Sequence, residues 1–179
     1  MIRLLATAVI LAGSGAALAQ HAHEHGVAHM ELALDGGKLS IRLESPLDNL
    51  VGFEHAPRNE KQRGALARMT EDLKRAERLF DLPGAAACKL VRTQSAHPHA
   101  QPPAAGTPHH DPDTHRHDEA HAELQASWEF DCSKPEALTR IGVRLFDLFR
   151  GIRRIKAQSV SHKGQGAASL SAAKRDLLL

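Results

Sequence analysis

Eleven of the 13 histidines in this chain fall into two groups, and their type and spacing carry its clearest chemical signal. The first group follows a hydrophobic leader and comprises His21, His23, His25 and His29. The second lies in a proline-rich stretch and comprises His97, His99, His109, His110, His115, His117 and His121. Neutral imidazole is a common protein ligand for Zn²⁺, Cu²⁺ and Ni²⁺. We therefore expect these side chains to bind a divalent metal ion rather than to perform covalent chemistry.

The second histidine group also contains acidic residues, among them Asp111 and Asp118. A carboxylate can complete a metal's coordination shell or orient an imidazole ligand. Residues 94–121 contain five prolines and almost no large apolar residue, so we predict that this segment is disordered without a ligand. Because this segment has more potential ligands than one ion needs, we expect several interchangeable sites of moderate affinity there. The alternative is a proline-rich linker with incidental histidines.

Two other histidines, His55 and His162, each stand alone in the sequence. A lone histidine is more often a hydrogen-bonded structural residue than a ligand. His55 follows Glu54, however, and could contribute to an ordered site if the fold brings it near His29 and Glu44.

The start of the chain predicts export. Arg3, an apolar run and a small-residue cleavage pattern at residues 17–19 are typical of a signal peptide over residues 1–19, cleaved before Gln20. The apolar run is too short to span a membrane, so we expect a soluble periplasmic protein without a membrane anchor. In that oxidising compartment we expect Cys88 and Cys132 to form a disulfide rather than half of a zinc site.

Charge and motifs exclude several functional classes. The formal net charge of +2 for the full chain gives no support to nucleic-acid binding, which usually requires a clustered basic face. No nucleophile elbow, phosphate-binding loop or His-Glu-x-x-His helix is present. We therefore expect that the protein is not an enzyme.

The elements that must position these residues begin with a hairpin. Apolar and polar residues alternate from Gly26 to Ser45 on both sides of Gly36-Gly37, which suits a two-residue turn. A single register pairs the apolar residues on one face and the polar residues on the other. It places Met30 opposite Leu43, Leu32 opposite Ile41, Leu34 opposite Leu39, Asp35 opposite Lys38, Glu31 opposite Arg42 and His29 opposite Glu44.

The rest of the chain predicts one α+β domain, an antiparallel β-sheet with about two helices packed on one face. We predict helices from Pro57 to about Phe80 and, after a capping box at residues 133–136, through residues 138–149. Further strands are predicted at residues 88–92, 124–132, 152–161 and 167–172, the last two joined by a turn at 163–166. The predicted organisation is a histidine-rich start at 20–25, domain parts at 26–93 and 122–179, and a disordered insertion at 94–121.

Several of these pieces together resemble the ZrgA-like periplasmic proteins. The matching pieces are residues 21–26, Ser45-Pro46 with residues 49–55, the histidine-rich insertion between the two cysteines, and residues 163–167. The resemblance implies a Gram-negative periplasm, a role in zinc acquisition beside an ABC-type importer, and zinc bound by the histidine-rich parts.

We therefore expect a periplasmic zinc-binding protein that concentrates or hands over Zn²⁺. One alternative is a buffer for Cu²⁺ or Ni²⁺, because nitrogen donors bind Cu²⁺ more tightly than Zn²⁺. Another is an envelope interaction module that binds no metal, in which the domain docks a partner and the loop is a spacer.

Overall fold

A computed structural model describes residues 24–100 and 122–179. The strands are β1 (Val27–Asp35), β2 (Lys38–Pro46), β3 (Phe80–Asp81), β4 (Cys88–Ala96), β5 (Glu123–Cys132), β6 (Arg140–Val143), β7 (Arg154–Ser161), β8 (Gly164–Leu170) and β9 (Asp176–Leu178). The helices are α1 (Asp48–Val51), α2 (Glu60–Leu73), α3 (Ala76–Leu79) and α4 (Leu145–Leu148). None of the helices in these two stretches is long and apolar enough to cross a membrane.

The strands form two sheets, and the predicted α+β class is confirmed. The larger sheet has six strands in the order β4-β5-β2-β1-β7-β8, and the smaller has the order β3-β6-β9. Neighbouring strands are antiparallel except β1 and β7, which run parallel. The predicted register of the β1–β2 hairpin is confirmed at every pair.

The core lies against one face of the larger sheet. The even-numbered apolar residues of β1 and the odd-numbered ones of β2 are buried, as alternation requires. Trp128 of β5 is fully buried, donates its indole N–H to the Leu73 carbonyl at 2.8 Å and packs edge-on against Phe80. The end of α2 is thereby fixed on this face of the sheet.

The first predicted helix is shorter than expected at both ends. The Asn59 side chain accepts a hydrogen bond from the Gln62 N–H at 3.0 Å, so the helix starts after this cap and not at Pro57. It ends at Leu73, and one further turn, α3, precedes β3. Leu66, Met69 and Leu73 are buried as predicted.

The second predicted helix is wrong. Residues 135–137 form a single 3₁₀ turn, β6 follows, and only one α-helical turn, α4, remains. β6 pairs with β3 and β9, and Gly142 fits between them because a Cβ there would lie 3.0 Å from the Asp81 Cβ. Gly142 and the β-branched residues on either side of it favour a paired strand over a helix. The helical spacing of the apolar residues concealed this preference.

Strand boundaries also differ from the prediction, most clearly at the end of β4 and at the β7–β8 turn. β4 continues to Ala96, so the predicted disordered insertion begins inside a strand, and its residues 101–121 lie outside the described residues. The β7–β8 turn lies at His162-Lys163, because Ser161 pairs with Gly164, and not at residues 163–166. Gly164 has a φ of 119°, which glycine adopts without strain.

The predicted disulfide joins Cys88 to Cys132. The two residues lie directly opposite each other where β4 begins and β5 ends. Cys132 is buried, in line with the inward parity of Trp128 and Phe130.

Candidate metal site

Three potential metal ligands, His25, Asp48 and Glu54, come together at one end of the larger sheet. One donor atom from each lies within 4.8 Å of the others. His25 Nδ1 and Asp48 Oδ2 are 2.5 Å apart, which is a short hydrogen bond. The other Asp48 oxygen, Oδ1, is shielded from solvent and has no hydrogen-bond partner among the described residues. We call these three residues the ligand cluster.

The short helix α1 brings the two carboxylates of the ligand cluster together. Leu47 is buried, and Asp48 follows it as the first residue of α1. Gly52 ends this helix in a left-handed conformation, with φ of 84°, and its N–H donates to the Asp48 carbonyl at 2.8 Å. The chain therefore reverses after one turn, and Glu54 returns to the side of Asp48.

The carboxylates change the protonation of His25. The hydrogen bond to Asp48, and then the charge of Asp48, raise the pKa of His25 above its ordinary value, with a smaller contribution from the charge of Glu54. Only the unprotonated nitrogen binds metal, so protons compete with a metal ion up to a higher pH than at an ordinary histidine. The same two negative charges attract a dication once the proton leaves.

Asp48→Asn should lower the pKa of His25 toward the ordinary histidine value, because the charged acceptor is lost. Titrating the His25 ring protons by NMR in metal-free protein measures this directly. In the parent, the pairing contributes stability below the unfolded-state pKa, and the contribution is lost as the pH rises through the raised folded-state pKa. A His25 pKa that Asp48→Asn leaves unchanged would contradict the pairing.

The donor set suits zinc. Zn²⁺ accepts histidine nitrogen and carboxylate oxygen, and three protein ligands leave one position of a tetrahedral shell for another group. No thiolate competes for this role, because both cysteines of the chain form the disulfide. The His25 side chain is 68% exposed and that of Asp48 is 26% exposed, so an ion could enter from solvent.

Among the predicted ligands in the described stretches, only His25 belongs to the ligand cluster. His29 lies on β1 opposite Glu44, beside a shallow cleft that Arg42 and Lys156 also line. The postulated grouping of His29, Glu44 and His55 does not form a metal-binding cluster within residues 24–100 and 122–179. The predicted ligands that lie outside the described residues are His21, His23, His109, His110, His115, His117 and His121.

Four other described histidines, His55, His97, His99 and His162, are not part of the ligand cluster. The His99 Nε2 is 2.7 Å from the Glu54 backbone carbonyl, a hydrogen-bonding distance. Burial, and then the neighbouring His99, lower the pKa of His97. His55 stacks on Phe53, with its Nδ1 2.8 Å from the Ala56 carbonyl oxygen, and His162 is exposed in the β7–β8 turn.

Asp48 and Glu54 were not predicted as ligands. Asp48 is 23 residues from its partner His25 in sequence, but the hairpin register that pairs His29 with Glu44 places His25 opposite Asp48 when it is extended by four residues. Glu54 lies within residues 49–55, which carry part of the family resemblance. A carboxylate on the first residue of a one-turn helix and another two residues after its closing glycine are close enough in the chain to lie side by side.

The described chain ends at three points beside this cluster. Glu24 directly precedes His25. His99, which contacts the Glu54 carbonyl, lies just before residues 101–121. The N–H of Leu47, the residue before Asp48, donates at 2.8 Å to the carbonyl of Ala122, which directly follows residues 101–121. Both histidine-rich segments are therefore attached to the fold at the ligand cluster.

Comparison with known proteins gives one family. A family model described as "ZrgA family zinc uptake protein" matches residues 22–179, nearly the whole chain. The match includes the ligand cluster and both cysteines. No curated protein matches the chain.

Proposed function

The chain belongs to the ZrgA family of zinc uptake proteins, and from this premise we propose that it is a non-enzymatic periplasmic protein that binds Zn²⁺ through its histidine-rich segments and the ligand cluster. The observation that carries the proposal is the attachment of both histidine-rich segments beside His25, Asp48 and Glu54. The cluster provides one nitrogen and two oxygen donors on a folded support. The segments provide further imidazoles.

Chain connectivity keeps those further imidazoles near the cluster. His21 and His23 precede His25 by four and two residues, and residues 101–121 carry five histidines between anchors at Ala100 and Ala122. Short tethers hold a second ligand at an effective concentration of about millimolar, far above that of free zinc ligands in dilute solution. A zinc ion bound by either segment can therefore pass to the cluster without leaving the protein.

Exposure of the cluster supports a role in carrying zinc. A structural zinc site uses four protein ligands and is closed to solvent. Here His25 is mostly exposed and three residues form the cluster, so the ion remains open to exchange. Exchange is what a protein needs if it delivers zinc to an ABC-type importer, which we propose as its partner.

Two features support the periplasm as the location. Residues 1–19 have the pattern of a signal peptide. The Cys88–Cys132 disulfide is of a kind that persists in oxidising compartments and is rare in the cytosol.

Calorimetry on the chain from Gln20 to Leu179 tests the proposal. We expect several Zn²⁺ ions to bind near neutral pH, with the tightest Kd below about 100 µM, equivalent to about −5.5 kcal/mol. Replacing the five histidines of residues 101–121 by asparagine should lower the stoichiometry and leave the cluster site. The β4 strand must stay intact, so substitution is preferred to deletion from residue 94.

Two outcomes would contradict the proposal. The first is a chain that binds no Zn²⁺ tighter than about 100 µM, a level too weak to capture a scarce ion. The second is a competition titration in which Cu²⁺ or Ni²⁺ binds and physiological zinc does not displace it, which would favour the buffer for those metals. Zinc-limited growth of a deletion strain, complemented by the parent and by the asparagine variant, tests the uptake role.

A further inference from the structure

We infer that Asn49 is the positioning residue of the ligand cluster, because its buried amide fixes the backbone next to His25 against the helix that carries Asp48. The inference rests on the proposed function and adds to it a residue that binds no metal itself. Asn49 is 3% exposed and directly follows Asp48 in α1.

The Asn49 amide is hydrogen-bonded at both of its polar ends. Its Oδ1 accepts from the Gly26 N–H at 2.7 Å. Its Nδ2 donates to the Val27 carbonyl at 3.0 Å and to the Ser45 hydroxyl at 3.1 Å. One side chain therefore joins the start of β1, the end of β2 and the first turn of α1.

Gly26 transmits this constraint to His25. Gly26 has a φ of 83°, which favours glycine, and its carbonyl accepts from the N–H groups of Arg153 and Arg154 at 2.8 and 2.9 Å. The residue is thus held by Asn49 through its N–H and by the chain before β7 through its carbonyl. His25 is bonded directly to this fixed residue.

Backbone fixation matters here because the His25 side chain is 68% exposed. Little protein surrounds its ring, so packing cannot set where the ring lies. Its hydrogen bond to Asp48 depends on where the backbone places the residue. Asn49 is adjacent to Asp48 and bonded to the neighbour of His25, so it sets the separation of these two ligands.

The Asn49 main chain is in turn held from the opposite side. A Cβ on Gly151 would lie 2.4 Å from the Asn49 carbonyl oxygen, so only glycine permits the two backbones to approach this closely. The α1 turn is therefore confined between Gly151 and the start of β1. A shift of Asn49 would have to move Asp48 as well.

Only an amide meets all three hydrogen bonds. Asparagine provides an acceptor and two donors on one short side chain, whereas aspartate lacks the donors and alanine lacks both. With alanine, the Gly26 N–H and the Val27 carbonyl would lose their side-chain partner, and the chain before β1 would be released from α1. We expect the His25–Asp48 separation to become variable.

The test uses the chain from Gln20 to Leu179 with the seven histidines that lie outside the described residues replaced by asparagine, which isolates the cluster. Asn49→Ala should lower the Zn²⁺ affinity of this parent by about 10- to 100-fold, the usual effect of removing a group that orients a metal ligand. The d–d absorption of bound Co²⁺ should change as well, because the geometry of the ligands is altered.

Ser45→Ala is the matched control. Ser45 is fully buried and accepts from the same Asn49 amide, but it does not contact Gly26 or Val27. Its loss should lower the melting temperature but change the Zn²⁺ affinity and the Co²⁺ spectrum much less than Asn49→Ala does, because the hydrogen bonds of Asn49 to Gly26 and Val27 remain. A purely structural role of Asn49 would make the two variants behave alike.

The outcomes separate this inference from the proposed function. If His25→Ala leaves Zn²⁺ affinity unchanged, the cluster site of the proposed function is wrong. If His25→Ala abolishes binding but Asn49→Ala retains the parent's affinity and spectrum, only the positioning role is wrong.

Should Asn49→Ala not fold, Gly26→Ala replaces it, since a Cβ there is strained at φ 83° and meets the Arg153 side chain at 3.3 Å. Unchanged affinity in that variant would overturn the inference.

Discussion

His25→Ala combined with Asp48→Asn should lower the affinity of the tightest zinc site by about 100-fold or more. Removing a group that merely orients a ligand costs about 10- to 100-fold, so removing one direct ligand and the charge of a second should reach at least the upper end of that range. Both residues have exposed or half-exposed side chains, so the fold should tolerate the change. Competition with a chromophoric zinc chelator at neutral pH measures the effect.

His55→Ala is the control for this double variant. His55 follows Glu54 in sequence but stacks on Phe53 and lies outside the ligand cluster. Its substitution should leave the tightest site intact. If the double variant and His55→Ala bind zinc equally well, the ligand cluster is not the site, and the histidines of the other segments must account for binding.

Replacing both cysteines by alanine should lower the free energy of unfolding by about 4 kcal/mol. The bridge joins residues 44 apart in sequence, and the chain-entropy model gives about this value for a loop of that size. The cost is large compared with the usual net stability of about 5–15 kcal/mol for a domain. Urea denaturation of the oxidised parent and of the double variant, without metal, gives the difference.

The zinc affinity of this double cysteine variant should not change. The ligand cluster is on α1 and before β1, whereas the bridge joins β4 to β5. At a temperature where the variant is still folded, we expect its cluster affinity to match that of the parent. An unfolding free energy equal to that of the parent would contradict the stabilising role of the bridge.

The hairpin could be predicted from local alternation, and the disulfide from the presence of two cysteines in a chain that carries an export signal pattern. In β1 and β2 each side chain alternates between core and solvent, and Gly36-Gly37 sets the turn, so one register satisfied both faces. Cys132 could be placed inward because it shares the parity of Trp128 and Phe130. The hairpin register and the inward direction of Cys132 both depend on the strict two-residue period of a strand.

Strand β6 and the ligand cluster depend on contacts between residues distant in sequence, and neither was predicted. Ile141 has a helical spacing with Leu138 and Leu145, yet pairing with β3 and β9 makes this stretch a strand. The ligand cluster was missed for a related reason. Its histidine precedes the first hairpin and its carboxylates follow it, so the hairpin register brings His25 and Asp48 to the same end, but the contacts of Asn49 and Gly26 that hold them there are visible only in three dimensions.

The bond between Cys88 and Cys132 also has a consequence for degradation. It bridges the strands that flank residues 101–121, so a protease that cuts once anywhere in that stretch leaves two fragments still covalently joined. Such a nicked molecule would keep β4 and β5 side by side and would separate into two pieces on a gel only after reduction. Two such cuts could remove most of the histidines of residues 101–121 while the disulfide still joins the two parts of the domain.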